Sequence, residues 1–354
     1  MTALPTRKKL LFALLSALAA IVILTGAAEI ALRFRYEKIE RITGAAEWQP
    51  GQWESLTYHW DRYHPRLGWT NLTGYRSDER IPFTVTINDQ GLRAGRSYAS
   101  HPPTGVRRIA VFGDSATFGE EVDDDQTVPH YLEQALVSVE VLNFGVRGYG
   151  LGQMLLRLEE EGFQYHPDLV LFVVLVPADI GRVIADRLGH PKPVFRVEGQ
   201  ELIVGNLPVP EASRQSWLQR SSFAAAWLWG RPRDWTEVET LDENLRITSA
   251  ILHRLRSACE AHRTTCMLVP IVTAGTLDRM RIDEDKRGRV DHMCASLADA
   301  GLETLDAVDY LERVLEREED ALVAPHGHWS ARGNRLLAEW IAHQLTLRFP
   351  QPDQ

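Results

Sequence analysis

The chain has 354 residues, 44% of them hydrophobic and 25% charged, which allows a sizeable core and excludes wholesale disorder. Its formal net charge of −9, with no basic cluster interleaved with aromatics, excludes a nucleic-acid-binding footprint. Cys259, Cys266 and Cys294 show neither CxxC nor any other thiolate-metal spacing, so no zinc site of that kind and no cofactor is expected. Cys259 and Cys266 lie across a helix-to-strand turn and could pair in an oxidising compartment.

Leu10 to Ala28 is an uncharged apolar run preceded by Arg7, Lys8 and Lys9. At about 1.5 Å per residue it nearly matches a hydrocarbon core of roughly 30 Å. Residues 1–35 therefore read as an N-terminal transmembrane anchor, with the domain that follows outside the cytoplasm, on the periplasmic or extracellular side. A cleaved secretory signal ending near Thr25-Gly26-Ala27 is the alternative. Residues 36–103 carry Trp48, Trp53, Trp60 and Trp69 and the alternating run Phe83 to Ile87, followed by turn chemistry at Asn88 to Gly91. This region reads as a stalk and a small β element, its tryptophans docking the stalk on the main domain.

Residues 104–348 alternate strand and helix, the signature of a parallel sheet covered by helices. Arg108 to Phe112 is a buried strand, Val139 to Leu142 a second, and Leu169 to Val176, apolar throughout, a central strand buried on both faces. Helices are expected at Val128 to Leu136, Leu151 to Gly162, Glu243 to His262, Glu284 to Ala300 and Arg332 to Arg348, with a further strand at Cys266 to Val272. An insertion at about 185–240 holds a hairpin around Gly199-Gln200 and the aromatic-rich segment Trp217 to Trp235, which reads as a cap near the site.

The first strand ends at Gly113-Asp114-Ser115, which puts a hydroxyl at the carboxyl edge of the sheet, where open α/β folds bind ligands. Gly113 would let the chain turn sharply, and the helical turn that follows would aim free N–H groups at an oxyanion. Gly-Asp-Ser is also ordinary turn chemistry. What sets it apart is that each later loop on this edge brings a complementary group. Asn143 to Gly150 follows the second strand, Pro177-Ala178-Asp179-Ile180 the third, and His326-Gly327-His328-Trp329-Ser330 precedes the last helix.

With these motifs, Leu67 to Leu345 resembles the SGNH or GDSL-type hydrolase superfamily, in particular its membrane-anchored bacterial members. The resemblance implies a flavodoxin-like three-layer α/β/α sandwich. It implies Ser115 as nucleophile and oxyanion donor, Gly148 as second donor and His328 as base. Two positions depart from it. Ala178 stands where the family has an oxyanion-donating asparagine, and Pro325 and His326 stand where it has the aspartate that orients the histidine.

Two functional readings follow. One is a serine esterase or O-acyltransferase on a Ser115–His328 dyad with His326, Asp179 or Asp114 as auxiliaries. It would act on O-acyl, chiefly O-acetyl, groups of cell-envelope or exported polysaccharides, with lipid esters as the next choice of substrate. The other is a catalytically degenerate protein of the same fold that binds glycans or scaffolds an envelope complex. A metal at His326-x-His328 is disfavoured, since two histidines do not fill a coordination shell.

Overall fold

A computed structural model describes residues 13–17, 19–28, 30, 60–79, 81–183, 191–199, 201–210, 241–325 and 327–348. Residues 13–17 and 19–28 are helical, with Leu14, Leu15, Ile21, Val22, Ile23 and Leu24 exposed. Among the described residues no helix is long and apolar enough to cross a membrane. The expected spanning helix is thus not found there, and part of the run Leu10 to Ala28 lies outside the described residues.

The described residues from 60 onward belong to one compact unit built on a five-stranded sheet. Its strands are β3 (Arg107–Phe112), β4 (Val139–Asn143), β5 (Leu169–Leu175), β8 (Thr265–Ile271) and β9 (Glu303–Thr304), in the order β4-β3-β5-β8-β9. Every pairing is parallel. Counted within the sheet, this is the doubly wound order 2-1-3-4-5, whose ligand crevice lies where the connections reverse, between β3 and β5. All seven residues of β5 are buried, as its unbroken apolar run requires of a strand covered on both faces.

Helices flank this sheet. Leu151–Glu160 packs on Leu241–His262, and Val128–Ala135 packs on Ala331–Arg348. Leu241–His262 buries Ile247, Ile251, Leu255 and Cys259, a stripe at four-residue spacing that turns one face inward. The expected α/β sandwich is what the structure shows. A helix over Ala274–Ile282 was not anticipated, and the last sheet strand is only two residues long.

Two outlying elements differ from expectation. The small β element is the hairpin β1 (Asp61–His64) with β2 (Gly68–Asn71), whereas the alternating run Phe83 to Ile87 forms only isolated bridges. Three of its N–H groups go instead to side chains, Thr84 to Asp123 at 2.7 Å, Val85 to Ser77 at 2.8 Å and Thr86 to Asp124 at 2.9 Å, while that of Ile87 goes to the Tyr75 carbonyl at 2.8 Å. Val85 and Ile87 are then buried with Trp60 and Phe118, and the Trp60 ring stacks on Phe118 with centroids 5.6 Å apart. The hairpin around Gly199-Gln200 is present as β6 (Val194–Glu198) and β7 (Glu201–Gly205). Trp48, Trp53 and the segment Trp217 to Trp235 lie outside the described residues. The pairing of Cys259 with Cys266 is not made: both, like Cys294, are buried free thiols.

Candidate active site

β3 delivers Ser115 to the crevice, and the four-residue helical turn Ser115–Phe118 holds it there. Asp114 caps the turn, its Oδ1 accepting from the Ala116 N–H at 2.9 Å, so that N–H is not free for an oxyanion as expected. Gly113 is required by space rather than by its dihedrals: a Cβ there would lie 1.9 Å from Thr117 Oγ1. The turn closes on Gly119 at φ 83°, and Glu121 follows in the left-handed region at φ 70°, strained for a residue with a side chain.

Buried Arg93 braces this strained segment from below. Its guanidinium donates to the carbonyls of Phe118, Gly119 and Val122 and pairs with Asp124 at 3.2 Å.

The consequence of that bend is a continuous chain of polar contacts. Ser115 Oγ lies 3.0 Å from His328 Nε2, and His328 Nδ1 lies 2.6 Å from Glu121 Oε2. The same Glu121 oxygen accepts from the His328 backbone N–H at 3.3 Å. Burial works to lower the His328 pKa. The hydrogen bond that the ring donates to Glu121 and the charges of Glu120, Glu121 and Asp114 outweigh it and raise the pKa above the usual histidine value. Trp329 anchors the histidine loop, its buried indole donating to Val272 at 3.0 Å.

A carboxylate therefore lies on His328 Nδ1, although the positions just before the histidine carry none. It comes from the turn that holds Ser115. His326, considered for that task, lies outside the described residues. The readable signal for Glu121 was an acidic pair, Glu120-Glu121, placed directly after the glycine that ends the nucleophile's turn. What hid it is that only a left-handed residue there turns a side chain back toward the histidine.

Asp114 and Asp179 do not reach His328 as orienting acids. Both are held by Arg182, whose Nη1 lies 2.8 Å from Asp114 and 2.9 Å from Asp179 and also donates to the Tyr149 carbonyl. Asp179 further accepts from the Leu175 N–H at 2.7 Å. These three residues tie together the loops after β3, β4 and β5.

On the oxyanion side, Gly148 has φ 74°, a backbone that favours glycine. Neither its N–H nor that of Ser115 makes a hydrogen bond among the described residues. Ala178 begins the turn after β5 and has no side-chain donor. Among the described residues, no group of three or more His, Cys, Asp or Glu could hold a metal ion.

No family model and no curated protein matches the chain. Solved structures do. A lipase/acylhydrolase from Enterococcus faecalis is 16% identical, with 70% of this chain and 100% of that one covered and a TM-score of 0.40. A member of the lipolytic protein G-D-S-L family from Veillonella parvula is 15% identical, with 69% and 100% covered and a TM-score of 0.39. A catalytic mutant of an acetylxylan esterase from Geobacillus stearothermophilus is 17% identical, with 72% and 99% covered and a TM-score of 0.41.

Proposed function

We propose that the chain is a serine esterase or O-acyltransferase working through Ser115, His328 and Glu121. The observation that carries the reading is the unbroken contact chain, 3.0 Å from Ser115 Oγ to Nε2 and 2.6 Å from Nδ1 to Glu121. Ser115 Oγ attacks the acyl carbonyl carbon while its proton passes to Nε2. The oxyanion is received by the Ser115 and Gly148 N–H groups. Collapse breaks the bond to the alcohol, which leaves with the proton from Nε2. Water or a second hydroxyl then attacks the acyl carbon as its proton passes to Nε2, and Nε2 returns that proton to Ser115 Oγ as the acyl–serine bond breaks. Glu121 keeps the Nδ1–H tautomer and stabilises the imidazolium.

For substrate we favour O-acetyl groups of cell-envelope or exported polysaccharides, with a membrane anchor near Leu10 to Ala28. The uncharged run and the exposed apolar side chains of its helical residues support the anchor. The glycan-binding alternative gains nothing from the site, since a protein that only binds has no use for a strained Glu121.

The test is a fluorophosphonate label on the purified chain. Modification of Ser115, with loss of aryl acetate hydrolysis in Ser115→Ala at an unchanged fold, is expected. An unlabelled Ser115 in a folded chain with no esterase rate would overturn the reading.

A further inference from the structure

Glu120 is not used by the mechanism above, yet it points at the reacting end of the histidine. Its Oε2 lies 3.7 Å from His328 Nε2, beyond hydrogen-bond reach, and the residue is only 7% exposed. Its carboxylate makes no hydrogen bond among the described residues. A largely buried carboxylate with no hydrogen-bond donor on it is a strong acceptor for any hydroxyl brought to it.

Nε2 is the atom that hands its proton to the departing alcohol, so the alcohol oxygen must come within about 3 Å of it. What lies beside Nε2 therefore faces the alcohol half of the ester and not the acyl half. We propose that Glu120 selects alcohols with a free hydroxyl next to the esterified one, as in a partly acylated sugar, by accepting a hydrogen bond from that hydroxyl. This inference rests on the esterase reading and adds the substrate class to it. An alkyl alcohol would place C–H groups against the carboxylate and offer it no donor, so simple lipid alcohols are discriminated against.

The probes are 2-hydroxyethyl acetate and 2-methoxyethyl acetate, which differ in that one donor. Wild type is expected to prefer the hydroxyl ester in kcat/KM by about tenfold to a hundredfold, the range for a charge-assisted bond in a buried site. The ratio should fall to about one in Glu120→Leu and lie between in Glu120→Gln, which keeps an acceptor without the charge. A role confined to folding would lower both rates and keep the ratio. Equal rates for the two esters in an active wild type, or an unchanged ratio in an active variant, would overturn the Glu120 assignment alone. No rate on either ester or on an aryl acetate would overturn the esterase reading, and this inference with it.

Discussion

Two turns leave neighbouring strands of the same sheet and have become opposites. The turn after β3, from Ser115 to Glu121, carries a serine in hydrogen-bond reach of His328 and two carboxylates that face the same ring. The turn after β5, from Ala178 to Arg182, carries an acid too, but Asp179 is locked to Arg182, and that guanidinium also takes up Asp114. The first turn holds a left-handed Glu121 against His328. The second is a closed ion cluster that stitches loops together and offers the reaction no side-chain donor at Ala178. The site is thus rich in negative charge around its base and poor in donors around its oxyanion. This imbalance suits an enzyme limited by oxyanion stabilisation rather than by the basicity of its histidine.

The sharpest way to break the contrast is Glu121→Gln. The imidazolium loses its counter-charge and Nδ1 its carboxylate acceptor, and kcat should fall by about 10³ to 10⁴, as in the serine-protease template. The pH profile supplies the sign. Attack needs neutral His328, so its raised pKa places the acid limb above the ordinary histidine value. Removing Glu121 removes two of the contributions that raise it, and the acid limb should move to lower pH. A limb that stays in place would separate Glu121 from His328 in solution.

The second turn should respond in stability instead. Arg182→Met leaves two buried carboxylates without their partner, a loss of about 3 to 5 kcal/mol for broken buried pairs. A Tm drop of roughly 10 °C is expected for a chain of this size. A Tm within a couple of degrees of wild type would mean that the cluster is not structural.

How much of this contrast was open to reading can be argued residue by residue. Ser115 was legible because a buried strand ending in Gly-Asp-Ser is a local pattern, whereas His328 sits in a loop between two helices and was named through the motif resemblance. Gly148 was named through a motif resemblance, and its φ of 74° agrees with a position that needs glycine. Glu121 was not legible, because its role depends on a backbone state that a glutamate seldom adopts and on Arg93 holding three carbonyls of that bend. Asp114 and Asp179 were named for chemistry because acids near a nucleophile invite it. Only the packing of Arg182 between them reveals that they are already taken. The run Phe83 to Ile87 alternates as a strand does, but side-chain oxygens of Ser77, Asp123 and Asp124 took the N–H groups a partner strand would have used.

If the turn after β5 is short of a donor, supplying one should help. Ala178→Asn adds an amide at the position where the motif resemblance implies an oxyanion donor. A complete donor contributes about 10² to 10³ in kcat, and one placed without supporting contacts should give less, about tenfold. The gain should appear in kcat and leave KM nearly unchanged, because the bond forms only as the oxyanion develops. A loss of rate with an unchanged Tm would show that the new amide obstructs substrate and that Ser115 and Gly148 complete the hole by themselves.

The smallest effect is expected where the sequence pattern draws most attention, at the residue two before the catalytic histidine. A carboxylate in that place would serve by accepting the Nδ1–H bond. Glu121 already accepts it at 2.6 Å, and Nδ1 has one proton to give. His326→Asp and His326→Ala should therefore both stay within about threefold of wild type on an aryl acetate at a pH above the His328 limb, since neither supplies a function the triad template lacks. The same His326→Asp change in a Glu121→Gln background has a vacancy to fill. A gain there, with none in the wild-type background, would mean that position 326 can reach Nδ1 and that Glu121 normally excludes it. A gain above tenfold in the wild-type background would instead remove Glu121 from its role and return the orienting task to the histidine's own loop.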